Sequence, residues 1–334
     1  MATSPDGALL EVRDLAKHFP LGRGLDRLLS RGERPVLRAV DGVSFAIRPG
    51  ETLGLVGESG CGKTTTSRLI LRAIEPTAGR ILFESEDITT RGVRELLPFR
   101  RKAQIVFQDP YTSLNPRMTV ARIVGEPILA HRLLAPADAR ARVRELLEMV
   151  GLQAEHAERY PHELSGGQRQ RVGIARALGL GPRLIVADEA VSALDVSVRA
   201  QILNLFVDLR DRLHLAYLFV SHDLGVIRFL SHRVAVMYLG RLAEVAPTAA
   251  LFRRPLHPYT QALLAAIPVV GDGTGSIFDD PDRLLEGEQP SPLHLPRGCR
   301  FASRCPRRFA RCDETEPELK EVEPAHAVAC HLYE

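Results

Sequence analysis

Residues 55–69, "LVGESGCGKTTTSRL", place three glycines within six positions and follow them with a lysine and a run of threonines. A backbone that wraps a phosphate must aim several N–H groups at one point, which needs dihedrals and close approaches that a Cβ forbids. Gly57, Gly60 and Gly62 supply them. The apolar run "ETLGLV" before the loop predicts a buried strand. "KTTTSRLILRAI" after it has the helical period, with Leu69, Ile70 and Ala73 on one side. The loop therefore joins a strand to a helix N-terminus, which carries partial positive charge and unpaired N–H groups. In this setting Lys63 reaches the β- and γ-phosphates of a nucleotide, and the Thr64 hydroxyl ligates Mg²⁺.

Further along, "RLIVADEA" (183–190) runs four apolar positions, ending at Ala187, into Asp188 and Glu189. An apolar strand ending in a carboxylate suits Mg²⁺ coordination through Asp188. Glu189 is placed to act as general base on an attacking water. "LSGGQRQRVGIARAL" (164–178) sets Ser165, Gly166 and Gly167 just ahead of a helix. That is a second anion-binding helix start. Two such starts in one chain suggest that one serves the nucleotide of another subunit. Taken alone, Ser165 reads equally well as an ordinary helix cap.

The rest of the chain is organised around these motifs. Residues 9–56 alternate short apolar runs with turns, and "SFAIRPGETLGLV" reads as two strands joined at Pro-Gly. "PLGRGLDRLLSRGERP" (20–35) reads as a surface insertion. Residues 110–163 read as largely helical, with "ADARARVRELLEMVGL" the clearest amphipathic stretch. "PRLIVADEA" and "LAYLFVSHD" read as strands, "VRAQILNLFVDLRDRL" as a helix, and "RVAVMYLGRLAEV" as a strand pair. Alternating strands and helices imply a parallel α/β sheet. Beyond about residue 250 the chain becomes rich in proline and cysteine, which marks an appendage.

Composition bounds the function. The 334 residues are 45% hydrophobic and 25% charged, an ordinary globular balance. Lysine occurs only at 17, 63, 102 and 320. A net charge of +3 leaves no general nucleic-acid footprint. No apolar run approaches the roughly 20 residues that cross a bilayer, and the N-terminus lacks a basic-then-apolar leader, so a cytosolic or peripheral protein is expected.

"LSGGQ" just upstream of the "LIVAD" strand resembles the signature of ABC ATPases, and the resemblance covers most of the chain. Gln108 in "VFQDP" resembles the Q-loop glutamine, Asp195 in "SALD" the D-loop aspartate, and His222 in "FVSHD" the switch histidine. Phe19 in "LAKHFP" stands where that family stacks an aromatic on adenine, with His18 as its rival. The resemblance implies an α/β P-loop NTPase core with a parallel sheet, an antiparallel β subdomain and a helical signature subdomain at about 110–175. It implies a nucleotide-binding domain over 8–250 and a Cys-containing C-terminal extension over 251–334. It implies that ATP and Mg²⁺ are held by the loop residues Gly57, Glu58, Ser59, Gly60, Cys61, Gly62, Lys63, Thr64 and Thr65. Thr64, Gln108 and Asp188 would serve the metal, and Glu189, His222 and Lys63 the catalysis. Ser165, Gly166, Gly167 and Gln168 would face the ATP of a second subunit, and Asp195 would link the two sites. The chain departs from the family at Thr64, often serine, and at Ala190, often proline.

Within that family, "AVDGVSFAIRPGETLGLVGESGCGKTT", "FQDPYTSLNPRMTV", "RRPLHPYTQALLAAIP" and the terminal cysteines resemble the dipeptide/oligopeptide importer ATPases. The insertion leans towards the second ATPase of such systems. The expected partners are a non-identical ABC ATPase, two integral-membrane permeases and an extracytoplasmic solute-binding protein, with no nucleic acid. The expected location is the cytoplasmic face of the membrane. Nickel and oligosaccharide importers share the branch, and a soluble ABC ATPase is the more distant alternative. Cys299, Cys305, Cys312 and Cys330 leave gaps of five, six and seventeen residues. No C-x₂-C pair of the usual zinc kind is present. A [4Fe–4S] cluster, credited to similar tails, zinc, and four free thiols all remain open.

Overall fold

The computed structural model describes residues 7–21, 35–266 and 289–334. Most of the anticipated insertion, 22–34, and the proline-containing stretch 267–288 lie outside the described residues.

In chain order, β1 (Leu10–Pro20) and β2 (Val36–Ile47) precede a turn in which Glu51 N–H bonds the Arg48 carbonyl at 3.1 Å. This is the anticipated Pro-Gly turn, and it leads into β3 (Thr52–Val56), buried along its whole length. Helix α1 (Lys63–Ile70) follows the glycine loop. It stops before Ala73, because Arg72 takes a left-handed φ of 51°. Strands β4 (Ala78–Phe83) and β5 (Glu86–Asp87), helix α2 (Leu97–Lys102) and strand β6 (Ala103–Val106) come next. The helical stretch then holds α3 (Pro110–Ser113), α4 (Val120–Ala130), α5 (Pro136–Met149) and α6 (Gly166–Leu178). Strand β7 (Leu184–Asp188), helix α7 (Val196–Leu213), strand β8 (Ala216–Val220) and helix α8 (Leu224–Leu230) return to α/β alternation. Strands β9 (Arg233–Tyr238) and β10 (Arg241–Pro247), helices α9 (Thr248–Arg253), α10 (Pro258–Ala265) and α11 (Arg311–Glu314), and strands β11 (Lys320–Glu323) and β12 (His326–Val328) complete the chain.

The chain folds into two compact units. One takes the chain up to Leu10, Ala46–Thr52 and Phe83–Ser221; the other takes Glu11–Phe45, Leu53–Leu82 and His222–Glu334.

In the first unit β6, β7 and β8 run parallel, pairing Ile105 with Val186 and Val186 with Leu218. Every residue of β7 and β8 is buried, as expected of parallel strands covered on both faces. Helix α7 lays Phe206 edge-on against Tyr217 and Phe219 of β8, with centroids 5.5 Å apart in each pair. Helices α4, α5 and α6 pack on one another, and α6 also packs on β6 and α7.

In the second unit β3 runs parallel to β9, while β10, β12 and β11 continue antiparallel from it. A small apolar centre holds this unit's C-terminal part. Tyr238 lies 4.7 Å from Tyr259 and 5.4 Å from Phe301, centroid to centroid. A polar centre lies nearby. Asp41 accepts hydrogen bonds from Arg300 and, at 2.8 Å, from His18 Nε2. Arg300 is only 6% exposed and also bonds Glu316 at 2.7 Å. Burial alone would raise the Asp41 carboxyl, but the bonds from Arg300 and His18 outweigh it and hold the group below the ordinary carboxylate range.

Removing one partner of such a pair strands a buried charge. Asp41→Ala is expected to destabilise the fold by about 3 kcal/mol, read as the shift in urea midpoint at pH 7. The sign with pH follows from the depressed carboxyl. Its contribution is complete above the unfolded value of about 3.9 and is lost as pH falls through the lower folded value. The gap between wild type and Asp41→Ala should therefore narrow in acid. A gap that widens there would overturn this account.

Candidate functional site

Each unit carries its own group of the motif residues. In the second unit the glycine loop follows β3 directly. A Cβ on Gly62, where φ is 111°, would meet the Ala39 carbonyl oxygen at 2.2 Å, and one on Gly57 would meet that of Met237 at 2.2 Å. Neighbouring backbone presses on the loop, so only glycine lets it curl at these two points. Gly62 caps α1 in the left-handed conformation without any side-chain cap bond, and the first turn of α1 holds no acidic residue. The helix start is thus left to backbone N–H groups and positive potential, as an anion site requires.

The Lys63 ammonium is buried and donates to the Gly57 and Glu58 carbonyls at 2.7 and 2.8 Å. It sits across the loop it would serve. Cys61 is also buried, and burial pushes its thiol up despite the nearby Lys63 ammonium. It fills space as a neutral thiol. Phe19 lies at the end of β1 with the Lys17 ammonium 5.1 Å from its ring centre. His18, the rival for the aromatic role, is already engaged by Asp41. His222 is exposed, just ahead of α8, whose cap Asp223 accepts from Gly225 N–H at 2.8 Å.

In the first unit Asp188 ends β7 and is 8% exposed, while Glu189 follows half-buried at a left-handed φ of 52°. A bulky residue adopts that conformation only where its surroundings impose it. Here the Glu189 N–H bonds the Val220 carbonyl at 2.9 Å, and its own carbonyl accepts from Ser192 at 3.1 Å. The turn after β7 is therefore pinned to the end of β8. Gln108 is exposed, two residues past β6.

The signature segment forms a reciprocal capping box. Ser165 Oγ accepts from Gln168 N–H at 3.3 Å, and Gln168 Oε1 accepts from Ser165 N–H at 2.9 Å. The capping reading of Ser165 is thus realised. A hydroxyl that accepts from a backbone N–H still has its own proton to donate, so the cap does not exhaust its chemistry. Gly167 is buried against α7, where a Cβ would fall 2.4 Å from Val198 Cγ1. Asp195 caps α7, accepting from Val198 N–H at 2.9 Å. That bond and one from Ser197 hold its carboxyl below the ordinary value.

Two contacts to the glycine loop escape motif reading. Arg304 forms a two-pronged ion pair with Glu58 at 2.9 and 3.1 Å, and Tyr259 Oη accepts from Glu58 N–H at 2.9 Å. The stretch "LHPYT" carries a family likeness but no local sign of this contact.

Residues 40–192 match the family model described as "ABC transporter", and 243–312 match "Oligopeptide/dipeptide transporter, C-terminal region". The oligopeptide transport ATP-binding protein AppF of Bacillus subtilis is 50% identical, with 100% of each chain covered. The chain belongs to the ABC transporter ATP-binding proteins. A probable peptide ABC transporter ATP-binding protein, y4tS of Sinorhizobium fredii, is 52% identical over 97% of this chain and 90% of that one. Among solved structures, the ATP-binding cassette MJ0796 in a dimeric post-hydrolysis state with ADP and Pi aligns with a TM-score of 0.63 at 28% identity. That alignment covers 72% of this chain and 98% of the cassette. The fold is the α/β P-loop fold of ABC cassettes.

Proposed function

We propose that the chain is the ATP-hydrolysing subunit of an ABC importer whose cargo is dipeptides or oligopeptides. The observation that carries this reading is the match of 243–312 to the oligopeptide/dipeptide transporter C-terminal region, joined in one chain to an ABC cassette. The functional division is a cassette over 8–250 and an extension over 251–334. ATP binds at the loop Gly57–Thr65, with Phe19 on the adenine and Lys63 on the phosphates. Oxygen donors from Thr64, Gln108 and Asp188 suit a small hard cation; these residues would hold Mg²⁺, which would supply charge neutralisation for the phosphates. Glu189 takes a proton from the attacking water, and His222 holds the γ-phosphate. The signature residues Ser165–Gln168 serve the ATP of a facing subunit, and Asp195 links the two sites. The facing subunit is a second, non-identical ABC ATPase. Two permeases and an extracytoplasmic binding protein complete the assembly, with this chain peripheral on the cytoplasmic side. No helix among the described residues is long and apolar enough to cross a membrane.

The test is affinity purification of the tagged chain from its native membranes in mild detergent, with mass spectrometry of what accompanies it. Two permeases and a second ATPase are expected, with a binding protein that takes up peptides. A binding protein selective for nickel or sugars would overturn the cargo. Soluble partners alone would overturn transport.

The C-terminal cysteines are part of the same reading. Cys299, Cys305, Cys312 and Cys330 border one pocket with His257 and His331. Burial pushes the Cys299 thiol up to about 12 and the Cys330 thiol to about 11, and raises Cys305. Without a metal Cys299, Cys305 and Cys330 are neutral thiols, so ligation would displace their protons. No three His, Cys, Asp or Glu side chains among the described residues converge on a single-ion site. Four thiolates suit a [4Fe–4S] cluster, and the C-x₂-C pair of a usual zinc site is absent from the sequence. A cluster held by these four would cross-link the extension. Anaerobic purification should yield a brown protein with stoichiometric iron and labile sulfide. A colourless protein in which all five cysteines titrate as thiols after denaturation, or one holding zinc, would overturn the cluster.

A further inference from the structure

The turn that carries Arg304 is held rigidly before it meets anything else. Cys299 N–H bonds the Cys312 carbonyl at 2.8 Å, Ala302 N–H bonds Cys299 at 3.0 Å, and Arg304 N–H bonds Phe301 at 3.0 Å. Phe301 packs against Tyr259 at 5.5 Å. Two guanidinium groups project from this short turn, each with its side chain only 6% exposed. Desolvating an arginine this far is unfavourable unless its fork is filled.

Their partners lie in one functional place. Arg304 grips both carboxylate oxygens of Glu58, inside the phosphate loop. Tyr259 accepts the Glu58 N–H at 2.9 Å, so side chain and backbone of one loop residue are both held by C-terminal groups. Arg300 bonds the Leu239 carbonyl and Asp41, and Asp41 accepts from His18 at 2.8 Å. His18 immediately precedes Phe19.

We propose that Arg300–Arg304, with Tyr259, is a positioning element for the nucleotide site. It sets the phosphate loop through Glu58 and the adenine-side strand through Asp41 and His18. Arg304, Arg300 and Tyr259 do not touch ATP in this scheme; they fix the shape of what does. The proposal rests on the reading of Gly57–Thr65 as the ATP loop. The extension is then part of the ATPase itself, and not only an attachment to it. Geometry at a preorganised anion site is sensitive to small displacements of the backbone N–H groups that build it.

The experiment uses the full-length chain, a fluorescent ATP analogue for affinity, and phosphate release for KM and kcat. Arg304→Ala is expected to weaken analogue binding about tenfold, within the usual range for coupling between sites. The loss should fall on KM for ATP more than on kcat. Arg304→Lys, which keeps the charge but not the fork, should recover part of it. Glu58→Gln should weaken binding as well, and the double variant should be no worse than the poorer single one. A folded Arg304→Ala protein with wild-type affinity would overturn the proposal, as would full additivity of the two substitutions. If Arg304→Ala does not fold, the same criteria apply to Arg304→Lys, with an expected loss of about threefold. Lys63→Ala separates the two levels of argument. If it leaves analogue binding unchanged, the loop is not the ATP site and both readings fall; if it abolishes binding while Arg304 variants do not weaken it, only the positioning role falls.

Discussion

Glu189→Gln should leave ATP binding intact and lower turnover by about 10²- to 10⁴-fold, the range for loss of a general base. The substitution keeps the size and shape of the side chain and removes its capacity to take a proton. It should also leave the turn unchanged. The left-handed backbone at Glu189, φ 52°, is imposed by the bond of its N–H to Val220 and of its carbonyl to Ser192, and neither bond involves the side chain. Asp188 remains at the end of the buried strand β7, so metal binding should persist. ATP-dependent association with the facing subunit should therefore accumulate, because the step that ends it is blocked. Steady-state phosphate release and size-exclusion chromatography with ATP check the two halves. Turnover within about tenfold of wild type would mean the base lies elsewhere, and His222→Ala would be the next variant to measure.

Lys63→Ala should weaken ATP binding by about 10- to 100-fold, as expected for the loss of a charge-assisted hydrogen bond worth roughly 1.5–3 kcal/mol. The ammonium spans the loop, bonded to Gly57 at 2.7 Å and Glu58 at 2.8 Å, so the same change removes a brace from the loop carbonyls. Lys63→Met separates these effects by keeping the apolar stem. Both variants should lose affinity for a fluorescent ATP analogue. Lys63→Met should melt nearer to wild type, because it leaves less empty space in a buried position. Equal affinity in wild type and Lys63→Ala would remove the loop as the ATP site, and Lys63 with it.

Much of this protein's local structure is legible in its sequence. The glycine loop, the strand ending in Asp188 and the helix starting after Ser165 each occupy one contiguous stretch, and each depends on backbone geometry that local residue types decide. Glycine at 62 reports a left-handed turn, and the all-apolar "LIVA" reports a strand covered on both faces. Ser165 with Gln168 three residues on reports a capping box. Helix α1 was read too long, since its apolar period continues past Arg72 while the backbone does not. Periodicity records which side of a helix is apolar; it does not record where the chain turns away to follow another element.

The pairing of the C-terminal arginines belongs to a different class. Arg304 and Glu58 are 246 residues apart, and Arg300 and Asp41 are 259 apart. In the sequence Arg304 is one arginine among many in an arginine-rich chain, and no spacing rule singles it out. Likewise "HPYT" reads as a helix start with proline at its first position, which α10 is. That Tyr259 Oη reaches the Glu58 N–H is decided only when β9 and β10 bring residues after 248 alongside the strand that leads into the loop. The amino-acid sequence by itself therefore determined the local backbone of each motif, because backbone conformation is largely a local property of residue type. The tertiary structure alone decided which distant charges desolvate one another, because burial is a property of the packed chain and leaves no local mark.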